Sequence, residues 1–150
     1  NYRMSEIHAA IGCSQIKKLP SFLKQRKINF DFMYKKISNN KKIQVIKSNN
    51  KFLQSSYYCL SIILRNDITK KRDEIIKRMN KKGLGTSIYY PHPVPRMNYY
   101  KSKYNYDKKN FKNATIISDN SIALPVGPHL KQNQIIKISK IVNEILEHYE

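Results

Sequence analysis

Residues 132–149 have the sequence QNQIIKISKIVNEILEHY, and they carry the clearest periodic pattern in the chain. Their apolar side chains recur every three or four residues, which places them on one face of an α-helix. This face comprises Ile135, Ile138, Val142, Ile145 and Tyr149. Because such a face must be buried against another element, the stretch predicts a C-terminal helix that covers a sheet.

Four stretches upstream have the composition of strands. Residues 57–64, YYCLSIIL, are rich in aromatic and β-branched side chains, which is typical of a largely buried strand. Residues 43–46, 86–90 and 121–126 are shorter, and Pro125 makes the last of them an edge strand or a strand end. So few strands predict a small antiparallel or mixed sheet.

Two helices are predicted before the first strand. Ser5 can cap a helix that runs to about Lys18, because its hydroxyl can accept from the free N–H groups of the first turn. Pro20 fits the first turn of a second helix, over 20–38, since its missing N–H costs nothing there. The apolar face of this second helix comprises Leu23, Phe30, Tyr34 and Ile37.

Helices are also expected between the strands. Thr69 can cap a helix over 70–82 that Gly83 ends, and residues 111–118 form a shorter helix. Residues 91–96 hold three prolines within five positions, which excludes a helix or a central strand and predicts a stiff extended loop. The order of elements predicts a small α/β sandwich with two helices on one face of the sheet.

The chain is strongly basic, with 29 lysines and arginines against 10 acidic residues and a net charge of +19. This balance raises nucleic acid or another polyanion as a partner. The lysines are scattered as doublets and never form a block of five like charges, so we expect a solvated surface and no nucleic-acid partner. A small basic anion- or nucleic-acid-binding domain stays open as the alternative, because four tyrosines lie beside lysines at 99–106.

No catalytic or metal-binding set is evident in the sequence. Cys13 and Cys59 each lie in an apolar helix or strand pattern, which favours buried free thiols. The four histidines lack metal-ligand spacing, so we expect no metal site. No apolar run reaches the roughly 20 residues needed to span a membrane, and no signal peptide is visible. We therefore expect a cytoplasmic protein with no membrane contact.

The amino terminus combines groups that recognise anions. Asn1, Tyr2 and Arg3 offer an amide, a phenol and a guanidinium just before the predicted helix. Because the start of a helix favours negative charge, this triplet suits a phosphate or a carboxylate.

Three stretches carry a resemblance to one family. Residues 1–16, NYRMSEIHAAIGCSQI, resemble the N-Y-R-M-S-E-x-x-A-A-I-G-x-x-Q-L segment of the DegT/DnrJ-type (StrS-like) nucleotide-sugar aminotransferases. Residues 83–91, GLGTSIYYP, are similar to the family's G-I-G-T-x-x-H-Y-P strand. Ala114 and residues 123–135, ALPVGPHLKQNQI, resemble its A…L-S-L-P-x-x-P-x-L-T-x-x-Q-I ending, with Lys131 in place of the Thr that usually caps the last helix.

The resemblance implies the C-terminal portion of a pyridoxal-phosphate enzyme of aminotransferase fold type I. Such enzymes are homodimers that move an amino group from glutamate to a keto sugar carried on a nucleotide, for surface polysaccharide or amino-sugar biosynthesis. The family's Schiff-base lysine lies upstream of the N-Y-R-M segment, so we expect no catalytic residue here and no activity of the chain alone. A pyridoxal-phosphate-dependent sugar dehydratase of the same family is the alternative, because the position that separates the two is absent.

The same resemblance implies a division of the chain. Residues 1–38 would be a long helical arm that links to a large cofactor-binding domain absent from this sequence. Residues 39–150 would be the small C-terminal α/β domain, in which helices cover a short antiparallel or mixed sheet.

The resemblance also implies binding residues. Asn1 would reach across the dimer to the cofactor phosphate of the other subunit. The stiff loop and the strand before it offer phenols, an imidazole and a guanidinium for a sugar diphosphate at the mouth of the active site. The candidate substrate-binding residues are Tyr89, Tyr90, His92 and Arg96. Tyr89 stands where the family often has His.

Overall fold

A computed structural model describes residues 2–48, 50–106 and 110–149. Within these residues the chain forms six α-helices, two short 3-10 helices and one three-stranded sheet. The α-helices are α1 (Glu6–Ile16), α2 (Leu19–Ile37), α3 (Arg72–Lys81), α4 (Asn98–Tyr104), α5 (Lys112–Asn120) and α6 (Gln132–Glu147). The strands are β1 (Ile43–Val45), β2 (Leu60–Leu64) and β3 (Ser121–Leu124). The 3-10 helices cover Asn66–Lys71 and Val94–Arg96.

The sheet is antiparallel throughout, with β2 in the centre of the order β1-β2-β3. Burial alternates along β2, because successive side chains of a strand point to opposite faces. Leu60 lies opposite Leu124, and Ile62 lies opposite Ile122, so fully buried pairs cross from strand to strand on one face. This face forms one side of the core. The prediction of a small antiparallel or mixed sheet in an α/β fold is confirmed, and the sheet is the antiparallel one.

Three helices bury their apolar stripes in one cluster with this face. The buried residues of α6 are Ile135, Ile138, Ser139, Ile141, Val142, Ile145 and Leu146. From α3 the cluster takes Ile75 and Met79, and from α2 it takes Phe30, Met33 and Ile37. The predicted apolar face of the C-terminal helix is therefore confirmed for Ile135, Ile138, Val142 and Ile145. Each fully buried aliphatic side chain contributes about 1.5–3 kcal/mol, so this cluster is the main source of stability.

The predicted N-cap of α3 is wrong, whereas its predicted end is confirmed. Thr69 lies inside the 3-10 helix, where its Oγ1 donates to the carbonyl of Asn66 at 2.9 Å instead of capping α3. Gly83 ends α3 with a positive φ of 78°. The N–H of Leu84 donates to Met79 O and that of Gly83 donates to Asn80 O, which is a Schellman motif.

The predicted strand at 86–90 is also wrong. Only Ser87 pairs with the sheet, through two hydrogen bonds with Ala123 at 2.8 and 3.2 Å. The chain then leaves the sheet, because the carbonyl of Tyr90 accepts from the Ser118 hydroxyl at 2.6 Å and Tyr89 turns its ring toward Tyr58. Side-chain partners therefore replace the ladder that would have extended the strand.

Helix α1 begins as predicted and packs differently from expectation. The Oγ of Ser5 accepts from the N–H of His8, which is the expected cap. Yet none of the side chains of α1 is buried within the part of the chain that the structure describes, and Ile7 is 74% exposed. Cys13, which lies on α1, is therefore exposed, and Cys59, which precedes β2, is half-buried, so the prediction of two buried thiols is wrong.

Candidate functional site

The proline-rich loop follows the single bridge at Ser87 and precedes α4. It contains one 3-10 turn at Val94–Arg96, which corrects the prediction of a purely extended loop. The turn is compatible with proline because Pro95 lies in its first positions, where no N–H is needed. Pro93 is buried and anchors the loop on the protein body.

Two neighbouring residues of α5 fasten the two ends of this loop. At one end, the buried hydroxyl of Ser118 donates to Tyr90 O at 2.6 Å, and Arg72 Nη1 donates to Ser118 O at 2.6 Å. At the other end, Arg96 Nη1 and Nη2 donate to the two carboxylate oxygens of Asp119 at 2.7 and 2.9 Å. Such a two-pronged pair fixes direction as well as distance.

The pairing sets the electrostatics of the loop. The hydrogen bonds from Arg96 lower the pKa of Asp119 below its ordinary value, and the nearby charges of Arg72 and His92 act in the same direction. The same bonds raise the pKa of Arg96 above its ordinary value. The two hydrogen bonds to Asp119 orient the exposed guanidinium of Arg96, and its remaining N–H groups can still donate to a ligand.

Tyr89 lies in different surroundings from the other predicted residues. Its ring stands 5.4 Å from that of Tyr58, and a hydrogen bond with the Tyr58 phenol raises the pKa of Tyr89 to about 12. Both rings line a cavity of about 290 Å³ whose wall also includes Arg26 and His129. The Nε of Arg26 is buried there without a hydrogen-bond partner among the described residues.

The structure thus divides the predicted site residues into two groups. Tyr89 opens onto the Arg26 cavity, whereas Arg96 and His92 lie near Asp119. Tyr90 is 73% exposed, and it contributes its carbonyl to the loop anchor. Asn1 lies outside the described residues.

A larger cavity of about 410 Å³ lies beside the loop, and the sequence did not indicate it. Its lining residues are Pro93, Pro95, Arg96, Asn98, Lys101, Tyr106, Phe111 and Thr115. Three of the four tyrosines at 99–106 lie on α4, a helix missing from the prediction. The tyrosines form a row of ring contacts, with centroid distances of 5.1, 6.3, 5.4 and 5.1 Å, that runs through Tyr99, Tyr100, Tyr104, Tyr106 and Phe111.

The described residues supply no catalytic constellation of their own. None of the lysines that the structure describes is buried, so none has the desolvated surroundings that lower a lysine pKa for attack on a carbonyl. Over the same residues no group of His, Cys, Asp or Glu side chains could hold a metal ion.

Comparison with known proteins identifies the family of this chain. A model of the DegT/DnrJ/EryC1/StrS aminotransferase family matches residues 1–143. The chain belongs to this family. Among the curated members, GDP-perosamine synthase of Escherichia coli O157:H7 is 31% identical over 145 residues, which are 96% of this chain and 37% of that enzyme. The chain therefore spans little more than a third of the relative it matches.

Solved structures from the DegT/DnrJ/EryC1/StrS family share the fold. The Helicobacter pylori aminotransferase PseC, involved in the biosynthesis of pseudoaminic acid, matches with a TM-score of 0.85 and 22% identity over 99% of this chain and 39% of that chain. GDP-4-keto-6-deoxy-D-mannose-3-dehydratase of E. coli, with bound hydrated pyridoxal phosphate, matches with a TM-score of 0.73 and 22% identity. This match covers 95% of this chain and 36% of that chain. Pyridoxal phosphate is the cofactor of full-length family members.

Proposed function

We propose that this chain is the C-terminal part of a pyridoxal-phosphate-dependent aminotransferase that transfers an amino group from glutamate to a keto sugar on a nucleotide. The family match over residues 1–143 carries the proposal. We also propose that the chain is inactive without the rest of the enzyme. The absence of a buried lysine among the described residues supports this. The complete enzyme would be a cytoplasmic homodimer that serves surface polysaccharide or amino-sugar biosynthesis.

In this proposal residues 1–38 are the arm and residues 39–150 are the small domain. The exposed apolar side chains of α1 support the assignment of an arm. Covering side chains such as Ile7 and Ile11 with another surface would lower the free energy, so they suit a helix that packs against another part of the enzyme. Asn1, which would donate its amide to the cofactor phosphate of the partner subunit, would stand at the start of this arm.

The loop residues supply the substrate side of the site. Arg96, oriented by Asp119, would donate to the diphosphate of the sugar nucleotide, and His92 on the same loop would contribute an imidazole to that group. Tyr89 and Tyr90 would donate phenol hydroxyls to the sugar. When bound, pyridoxal phosphate supplies the carbonyl chemistry that none of these side chains can provide.

The test is transfer of nitrogen by the complete enzyme. With ¹⁵N-labelled glutamate and a keto sugar nucleotide, we expect ¹⁵N in the sugar product together with one 2-oxoglutarate per turnover. A product that has lost a hydroxyl and carries no ¹⁵N would instead establish the dehydratase alternative.

Arg96→Ala tests the loop. We expect the KM for the sugar nucleotide to rise about tenfold or more and the KM for glutamate to stay nearly constant, since Arg96 donates a charge-assisted bond to one substrate only. Arg65→Ala is the matched control, because Arg65 is exposed and its side chain contacts Gln44 on β1, away from the loop. Equal changes in both KM values would contradict the assignment.

The isolated 150-residue chain gives a second test. Incubation with pyridoxal phosphate and borohydride should attach the cofactor to many lysines at low and similar yield. Stoichiometric trapping at one lysine would overturn the proposed inactivity of the chain alone.

A further inference from the structure

We propose that the cavity between the proline-rich loop and α4–α5 holds the nucleoside diphosphate portion of the substrate, with the base between proline and aromatic walls. This inference rests on the proposed function and deepens it, because it separates the site for the nucleotide from the Arg26 cavity that Tyr89 faces. The observations that carry it are the wall chemistry, the placement of the charges and the size of the cavity.

Flat apolar surfaces form the walls. Pro93 is buried and Pro95 is half-buried on the loop side, while Tyr106 and Phe111 are half-buried on the other side. The Tyr106 and Phe111 rings meet edge to face, with centroids 5.1 Å apart and an angle of 81° between the ring planes. Two fixed rings and two proline rings present the kind of surface on which a nucleobase stacks, whichever base it is.

The cationic groups lie on the exposed rim of the same cavity. Lys101 on α4 and Arg96 on the loop are both exposed, and both line the cavity. Arg96 gives two of its N–H groups to Asp119 and keeps the others for a ligand. Lys101 adds a positive charge that a diphosphate can approach from solvent. An apolar interior with a basic rim matches a base joined to phosphates.

Polar groups within the lining suit the edge of a base. Asn98 is exposed and Thr115 is half-buried on the cavity wall, and an amide and a hydroxyl can each donate and accept hydrogen bonds. The cavity volume of about 410 Å³ falls within the range of small-molecule sites, about 300–1,000 Å³. A cavity of this size accommodates one base, which favours a mononucleotide over the extended groove that a nucleic-acid strand requires.

The experiment uses the complete holoenzyme and measures nucleotide binding by calorimetry in the absence of glutamate. The probes are UDP, GDP and dTDP, the nucleosides that correspond to them, inorganic pyrophosphate, and a short single-stranded oligonucleotide. Because no turnover is involved, the result is independent of whether the enzyme transaminates, and a failure of the proposed function would be seen separately in the ¹⁵N assay.

Two matched pairs of variants separate the base from the phosphates. Tyr106→Ala should weaken at least one nucleoside diphosphate about tenfold and leave pyrophosphate unchanged, and Tyr106→Phe should restore binding, because stacking requires the ring and not the hydroxyl. Tyr99→Ala is the control, since Tyr99 lies on α4, is 64% exposed and is not among the residues that line the cavity. Lys101→Glu should weaken the diphosphate about tenfold and leave the nucleoside unchanged, whereas Lys103→Glu makes the same charge change outside the cavity lining.

Several outcomes would overturn the inference. One is that Tyr106→Ala and Lys101→Glu bind the nucleoside diphosphates as their controls do. Another is that the oligonucleotide binds more tightly than every diphosphate, which would favour a nucleic-acid groove. If Tyr106→Ala fails to fold, the exposed Lys101 and Lys103 pair decides the question, because neither substitution touches the core.

Discussion

Asn29 on α2 holds the segment that follows β3. Its side chain is 2% exposed, and its Nδ2 donates to the carbonyls of Gly127 at 2.9 Å and Leu130 at 3.2 Å. Its Oδ1 accepts from Gln25 Nε2 at 3.0 Å. One amide thus satisfies buried backbone acceptors about a hundred residues away in sequence.

Asn29→Asp should destabilise the chain by about 3–5 kcal/mol at pH 7, because the new carboxylate faces carbonyl oxygens and has no donor to offer them. Burial would raise the pKa of this aspartate in the folded state above its unfolded value. The variant should therefore recover stability as the pH falls, when the protonated acid can donate to one carbonyl. Urea unfolding between pH 4 and 7 measures both effects.

The control for this substitution is Asn80→Asp on the exposed surface of α3, which should change stability by no more than about 0.5 kcal/mol. An Asn29→Asp variant as stable as the control at pH 7 would contradict the role of the amide.

Tyr89 gives a prediction for alkaline solution. Its folded-state pKa of about 12 lies above the ordinary value of 10.0, so the folded state keeps the proton over a range in which the unfolded state releases it. The stabilisation is complete below pH 10 and is lost as the pH rises from 10 to 12. The midpoint of urea unfolding should fall less steeply with rising pH between 10 and 12 for Tyr89→Phe than for the unmodified chain. Tyr90→Phe, which removes the adjacent exposed phenol, should retain the original profile.

At the scale of elements, a glycine inside one helix and a glycine just past the end of another should respond differently to the same substitution. Gly83 has a φ of 78° at the end of α3, a conformation that costs an L-residue about 1–2 kcal/mol. Gly12 lies inside α1, and a methyl group there meets no atom within 4 Å. Gly83→Ala should lower the unfolding midpoint in urea. Gly12→Ala should leave that midpoint unchanged and raise the helix content measured by circular dichroism.

If both substitutions lowered the midpoint equally, α1 would have to be part of the cooperative core, contrary to its exposure. Equal midpoints for Gly83→Ala and the unmodified chain would show that the helix end can rearrange.

The elements that could be predicted are those specified by local signals. The Gly83 stop and the stripe of α6 depend on neighbouring residues, and both are confirmed. The strand at 86–90 failed because Ser118, 28 positions from Tyr90, takes over a carbonyl that the strand would have used. Helix α4 was missed because it buries no residue and so has no apolar stripe; its Tyr100 and Tyr104 rings instead stack on each other.

The candidate site divides in the same way. The loop residues were predictable as a group, because proline stiffness and polar side chains are visible in the sequence. Two features of the site could not be predicted: the pairing of Arg96 with Asp119, and the placement of Tyr89 beside Tyr58, away from Arg96. Both depend on residues that only the fold brings together. The cavity combines residues from 93 to 115, and its shape follows from the position of α4.

At the scale of the whole molecule, α1 should behave as a separate unit of stability. An isolated helix of 11 residues is marginal in water, and α1 buries none of its side chains within the described residues. In hydrogen exchange on the isolated chain, we expect the amides of α1 to exchange rapidly and those of β2 and α6 to exchange only on global unfolding. Deletion of residues 1–16 should leave the thermal midpoint unchanged. Protection of α1 equal to that of α6 in a monomeric chain would contradict this division.

The proline-rich loop is closed by hydrogen bonds at both of its ends. Its ends are bonded to Ser118 and Asp119, which are adjacent in sequence, so the distance between the ends is set by α5 and not by the loop itself. Because the ends are fixed, residues added between the anchors must extend outward. They should cost little free energy, because the entropy of closing such a loop grows only slowly with length. A segment held at both ends in this way should accept insertions without disturbing the scaffold, and it could be exchanged as a unit in protein design.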